Sequence, residues 1–409
     1  MSGPAMSGPA MSAGERSRGG RIFLGASLVL IAFNLRPLFS SASALLPEIK
    51  RALALSPLGA GLLTTLPVLC LGLFSPLAPR LASRIGVEKT MLGVLLLLAL
   101  GTALRGLGQL PALFLGTALA GACIAVANVL LPGMVKRDFA RQGALMTGLY
   151  TMALCAGAAS AAGLTLPIEK LLGGSPHAAL ASWALPAVLV AVLWLPQLAH
   201  GARRAVQARV RVEGLWRDRL AWNVTLFMGF QSALAYCVFG WLVPILRERG
   251  LDALVAGSVV SMSVMVQAMA CLAVPHLAVR GKNQSLINVS LCAIAVVALV
   301  GLLFAPLSTV WLWAALQGVG QGGLIAAAMT VIVLRSGDPQ VAAQLSSMAQ
   351  CVGYLLASVG PLVVGLIRDM TGGFAWCGAL FIVLGSVAAL NGWRAGRAGH
   401  VQAVTRTAA

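Results

Sequence analysis

The chain has 409 residues, of which 59% are hydrophobic and only 10% charged, and its net charge is +18. Soluble domains carry about a quarter of their residues as charges, so a soluble globular fold is excluded. Alternating stretches of about ten residues, the mark of a membrane barrel, are absent; apolar runs long enough to span a bilayer as helices recur from end to end.

Residues 1–20 repeat Met-Ser-Gly-Pro-Ala and are expected to be a disordered tail, with Met6 and Met11 as alternative starts. Hydropathy then predicts spans at 22–47, 57–79, 90–108, 110–134, 144–168, 180–199, 221–246, 255–277, 286–305, 309–334, 344–367 and 375–393. The run from Ile22 is too long for a signal-peptide core. Residues 200–220 form the longest polar interruption and read as a basic linker between six-helix halves at 21–199 and 221–394, with a tail at 395–409. Placing both termini in the cytoplasm puts 21 of the 29 basic residues on that side, which is the positive-inside bias of an inner-membrane protein. The loops are too short to build a nucleic-acid face. The eight cysteines fall in apolar spans without paired spacing and read as small hydrophobes. Trp183, Trp222, Trp241, Trp311 and Trp376 lie near span ends and read as interfacial anchors.

An internal repeat supports the two-part division. Pro79-Arg80-Leu81-Ala82 recurs as Pro275-His276-Leu277-Ala278, Ala60-Gly61 as Ala256-Gly257, and Leu46-Pro47 as Val243-Pro244, at an offset of 196–197. That register sets Asn34 opposite Gln231 and Arg36 opposite Ala233.

Arg36 is the one charge that this reading places near mid-membrane, within Phe33-Asn34-Leu35-Arg36-Pro37. A guanidinium there costs about 2.5–3.5 kcal/mol on insertion scales, so it is expected to face a cavity or a partner. Pro37 lacks an N–H and frees the Phe33 carbonyl. All eleven carboxylates map to tails, loops or membrane edges, so none is placed to neutralise Arg36 or relay protons at depth. Glu48, the nearest, is expected to cap a helix or pair with Lys50 or Arg51. A small anion is therefore the natural visitor to Arg36. The four histidines sit at loops or span ends, and no zinc, phosphate-loop or serine-elbow pattern is present, so the chain does not read as an enzyme and implies no cofactor.

Two parallel six-helix repeats joined by a basic linker resemble the major facilitator superfamily. Asn34-Leu35-Arg36-Pro37, Leu45-Leu46-Pro47-Glu48-Ile49, Gly61-Leu62-Leu63-Thr64-Thr65-Leu66-Pro67-Val68, Met146-Thr147-Gly148-Leu149-Tyr150 and Gln344-Leu345-Ser346-Ser347-Met348-Ala349-Gln350 are similar to its cyanate and 2-nitroimidazole transporter branch. The resemblance implies an all-α membrane protein of twelve helices in two pseudo-repeated bundles. It also implies alternating access to a mid-membrane site between the halves, lined by helices 1, 4, 7 and 10 with parts of 5, 8 and 11. The residues it places at the site are Arg36, Asn34, Gln231, Tyr150, Gln317, Gln321, Gln350 and Tyr354, with Arg80, Arg84 and Pro37 in gating. Each amide has a bland alternative, hydrogen bonding from helix to helix. Where the superfamily's loop between helices 2 and 3 usually carries an aspartate before an arginine, this chain has Ser83 before Arg84; Arg84 is then free to pair with Glu88 or the end of helix 11, or simply marks the inner surface. The expected activity is movement of a small, singly charged, cyanate-like solute by a monomer in contact with lipid. Export of nitroimidazole-like or other weakly polar drugs is the second reading, and a membrane receptor that binds without transport is the third.

Overall fold

The computed structural model describes residues 18–139, 142–201, 210–278, 281, 283–337 and 339–407; the repeats of the N-terminal tail before Arg18 lie outside them. Proline placement and apolar length decide where the helices start and stop. The first span comprises α1 (Arg18–Asn34) and α2 (Pro37–Ala44), followed by the short α3 (Leu46–Ala52). α4 (Pro57–Phe74) opens with a proline in its first turn, and Ser56 caps it by accepting the Gly59 N–H at 3.0 Å. The expected continuous span 57–79 is broken, because α5 (Leu77–Ile85) leaves α4 at a bend of 57°. Pro76 supplies no N–H at that joint, which is why the ladder fails there.

α6 (Val87–Leu104), α7 (Leu110–Asp138), α8 (Gly143–Leu171), the pair α9 (Pro176–Ser182) and α10 (Ala184–Trp194), and the short α11 (Leu198–Gly201) complete the first half. Gly108, at φ +69°, makes the tight turn that separates α6 from α7. The second half holds α12 (Arg219–Glu248), α13 (Ala253–Ala278), α14 (Ser285–Phe304), α15 (Val310–Leu334), α16 (Pro339–Thr371) and α17 (Cys377–Ala395). Among the described residues, eleven helical segments are long and apolar enough to cross a membrane, and the bent α4–α5 pair makes the twelfth.

The halves meet along three seams: α4 on α16, α8 on α13, and α2 on α12. The sequence repeat has a direct structural meaning here. A Cβ added to Gly61 would stand 3.4 Å from Gly365 Cα, and one added to its repeat mate Gly257 would stand 2.5 Å from the Ala162 carbonyl oxygen. The duplicated glycine lets backbones approach at both pseudo-equivalent seams, as small residues do between membrane helices.

Part of the linker and part of the C-terminal tail form a two-stranded ribbon: β1 (Val210–Glu213) pairs antiparallel with β2 (Val404–Thr407), with Val210 opposite Thr407 and Glu213 opposite Val404. The tail is further tied down by Arg335, which donates to the Ala395 and Gly396 carbonyls at 2.9 and 3.0 Å, and by the Gln402 N–H on Asp218 Oδ2 at 3.0 Å. Two of the five tryptophans are packed inside the protein instead of at a lipid interface. Trp241 donates to the Pro361 carbonyl at 2.9 Å and meets Phe374 edge-on, and Trp183 donates to Thr165 at 3.0 Å. Each indole N–H finds its acceptor within the bundle. Trp311 and Trp376 are exposed and fit the anchoring role.

Candidate functional site

The first span breaks where the sequence places its proline. Around Leu35 and Arg36 the ladder tightens to three-residue bonds, from the Leu35 N–H to Ala32 at 3.1 Å and from the Phe39 N–H to Arg36 at 3.2 Å. Pro37 cannot bond the Phe33 carbonyl, and that oxygen points at Gly157 of α8: a Cβ added there would lie 2.0 Å from it. The kink in α1–α2 therefore depends on a glycine in the neighbouring helix. Gly157→Ala is expected to cost about 1–3 kcal/mol by overpacking, read as a thermal midpoint several degrees below that of the unaltered protein. An unchanged midpoint would show that the break tolerates a side chain.

Arg36 occupies the break itself. It donates from Nη1 to the Tyr236 hydroxyl of α12 at 3.1 Å. Its guanidinium carbon lies 5.8 Å from the Phe39 ring centre, 5.8 Å from that of Tyr236 and 5.7 Å from that of Phe239. Tyr236 in turn packs on Phe39, with centroids 5.4 Å apart, and meets Tyr354 of α16 edge-on at 6.0 Å. Cys155 of α8 and Cys271 of α13 are near enough to feel its charge. The cation thus sits where α2 of one half meets α12 and α16 of the other, within an aromatic shell. Among the described residues no carboxylate pairs with it.

The remaining expected site residues divide. Tyr354 belongs to the shell, while Tyr150 is half-buried on α8. The amides are largely committed elsewhere. Asn34 donates to the Leu30 carbonyl of its own helix at 2.9 Å, and Gln350 to Ser346 at 3.0 Å. Gln231 donates to Ser232 at 2.8 Å and accepts from Gln321 at 3.3 Å. Ser263 donates to Gln317 at 2.5 Å, joining α13 to α15. An amide in an apolar bundle takes the nearest backbone or hydroxyl partner, so the helix-to-helix alternative describes Gln231, Gln317 and Gln321. Gln317 Nε2 and Gln321 Oε1 keep free bonding capacity.

At the membrane face carrying α3, both carboxylate oxygens of Glu48 accept from Arg247 of α12, at 2.7 and 2.9 Å, and one also accepts from Arg51 at 3.3 Å. The expectation of a purely local partner is corrected: this ion pair spans the two halves. Beside it, Arg368 of α16 pairs with Glu248 at 2.7 Å.

Residues 22–361 match the family model of the Major Facilitator Superfamily. The chain belongs to that superfamily. It is 38% identical to the 2-nitroimidazole transporter of Escherichia coli (strain K12) over 379 residues, covering 92% of this chain and 96% of that one. It is 29% identical to the cyanate transport protein CynX of the same organism over 351 residues, covering 85% and 90%. Its fold matches the crystal structure of a bacterial homolog to the human lysosomal transporter Spinster, inward-facing and unoccupied, with a TM-score of 0.72, 16% identity and 93% coverage of both chains. The protein is a multi-pass membrane transporter of small solutes and not an enzyme.

This superfamily member departs from the expected inner lock. Arg80 and Arg84 are exposed and form no ion pair among the described residues. Glu88, the expected partner of Arg84, instead accepts from Arg137 at 2.8 Å, and Arg137 also meets Asp138 at 2.7 Å. Burial pulls the Arg137 guanidinium down, but the two carboxylates outweigh it and hold it above its ordinary value. With Ser83 in place of an acid, Arg84 has no carboxylate partner among the described residues.

Tyr236, a deep polar residue that the sequence suggests as a helix-to-helix bond and not as a site residue, proves to be the partner of Arg36. The signal was present: the offset of 197 that sets Arg36 against Ala233 also sets Phe39 against Tyr236, one turn further on, and these repeat mates are in ring contact.

Proposed function

We propose that this transporter moves a small, singly charged anion of cyanate type by alternating access, with Arg36 as its principal ligand. The single observation that carries the reading is a half-buried guanidinium between the two halves, paired with a phenol and not with a carboxylate. A lone cation there attracts an anion without competition from an internal acid. Tyr354, Tyr150 and the free capacity of Gln317 and Gln321 complete the binding region; Gln231 supports it by joining α12 to α15, and Asn34 and Gln350 by bonds within their own helices. Opening and closing centre on the Pro37 break and the Glu48–Arg247 pair. Arg80 and Arg84 serve as positive markers of the cytoplasmic surface in a bacterial inner membrane, with both termini inside and the protein acting as a monomer in lipid. With no carboxylate at depth, exchange or uniport fits better than proton symport.

A second reading, export of a nitro-heterocycle, is favoured by the rings of Phe39, Tyr236, Phe239 and Tyr354 around Arg36. A nitro group offers a guanidinium two partly negative oxygens, and a flat ring can stack on the aromatic shell. Uptake of radiolabelled cyanate into proteoliposomes, with 2-nitroimidazole as competitor, separates the readings. Saturable cyanate flux supports the first; nitroimidazole flux without cyanate flux replaces it with the second; saturable binding without flux leaves only a receptor.

Tyr236→Phe removes the hydroxyl from Arg36 and keeps the ring. A hydrogen bond to a charged group contributes about 1.5–3 kcal/mol, and freeing the guanidinium donor is expected to change the solute KM several-fold with little change in thermal midpoint. An unaltered KM would place the hydroxyl outside the site.

A further inference from the structure

A second arginine is enclosed more completely than Arg36. Arg105 stands at the end of α6, is 1% exposed, and makes one hydrogen bond among the described residues, from Nη1 to the Leu38 carbonyl of α2 at 3.5 Å. Its Nε and Nη2 have no hydrogen-bond partner, and no carboxylate among the described residues pairs with it. The sequence reading counted Arg105 among exterior loop charges; the structure folds it into the bundle between α2 and α7.

Several hydroxyls on the two helices beside it, α2 and α7, lack the usual helical partner, as does Thr65 of α4. Ser27, Thr102 and Thr225 each bond the carbonyl one turn back at 2.8 Å, the ordinary resort of a helical hydroxyl. Ser40, Ser41 and Ser43 of α2 and Thr117 of α7 are buried with no hydrogen-bond partner among the described residues. Ser41 lies one turn beyond Leu38, on the face of α2 that Arg105 touches. Thr117 follows Gly116, where an added Cβ would lie 3.2 Å from Arg105 Cγ, so the arginine side chain runs along α7 at that level.

We propose that Arg105, with the hydroxyls of Ser41 and Thr117, forms a buried binding site for a small monovalent anion of halide type, distinct from the solute site at Arg36. The unmatched guanidinium groups are all donors, and the hydroxyls can each donate as well. What they require is an acceptor, and the enclosed positive charge requires a negative one. Water meets the first need but not the second. The anion ties α2, the outer part of the broken span, to α6 and α7, so that the region beyond Arg36 moves with its own half. This inference does not depend on the identity of the transported solute.

The test compares thermal midpoints of the purified protein in nanodiscs in chloride and in gluconate at equal ionic strength. Chloride is expected to raise the midpoint by several degrees in the unaltered protein and equally in Arg36→Ala, and to leave Arg105→Met unmoved. An equal chloride shift in Arg105→Met, or no shift in the unaltered protein, overturns the proposal. Should Arg105→Met fail to fold, Ser41→Ala and Thr117→Val carry the test: the apparent chloride affinity is expected to fall several-fold in each, and an unchanged affinity in both refutes the site. Bromide anomalous scattering from crystals of the unaltered protein gives an independent reading. A peak in hydrogen-bond reach of Arg105 supports the site, and its absence there contradicts it.

Discussion

Replacing Arg36 with alanine is expected to abolish solute flux in proteoliposomes while leaving membrane insertion and thermal midpoint unchanged or slightly improved. At about 4 Å and intermediate dielectric, a guanidinium attracts a monovalent anion by on the order of 4 kcal/mol. Losing that attraction weakens binding roughly a thousand-fold. Little structural cost is expected to offset it, because among the described residues Arg36 gives up one hydrogen bond, that to Tyr236, and a charge without a carboxylate partner is removed from an apolar setting. Arg36→Lys is expected to recover part of the activity: it keeps the charge but lacks the planar donor fork. A large fall in thermal midpoint for Arg36→Ala, with flux per folded molecule preserved, would assign the residue a purely structural role.

The second large effect is expected at the ion pair between the halves. Glu48→Gln leaves Arg247 without its two-pronged acceptor and should weaken closure of the face that carries α3. Both side chains are largely shielded, at 13% and 19% exposure, so the pair counts for more than a fully exposed one, and about 1–3 kcal/mol corresponds to a 5- to 150-fold shift between conformations. Spin-label distances between the ends of α3 and α12 should lengthen in Glu48→Gln, and the double reversal Glu48→Arg with Arg247→Glu should restore them. Distances that stay the same in the single variant would show that helix packing alone closes this face.

The broad architecture could be read from apolar run length, and the seam between halves from the duplicated Ala60-Gly61 and Ala256-Gly257, because both follow from local composition and register. The break at Pro37 was equally legible, since a missing N–H has only local consequences. Partner choice was not. Whether Gln231 reaches a solute or Gln321 depends on helix rotation, which a hydropathy pattern of purely apolar spans leaves unspecified. For Glu48 the sequence offered a cap or a pair with Lys50 or Arg51; the Arg51 pair forms, but the closer partner, Arg247, stands 199 positions along the chain. Arg105 was read as a loop charge because it ends a span; only the crossing of α2 over that end encloses it. The aromatic shell was within reach, had the repeat register been carried one turn beyond Arg36 to the Phe39–Tyr236 pair.

Equilibrium binding of radiolabelled cyanate to the purified protein, in chloride buffer so that the Arg105 position is saturated, tests the central assignment most directly. Saturable binding of one anion per protein that disappears in Arg36→Ala and survives in Gln350→Ala is the expected result. Undiminished binding in Arg36→Ala would contradict it.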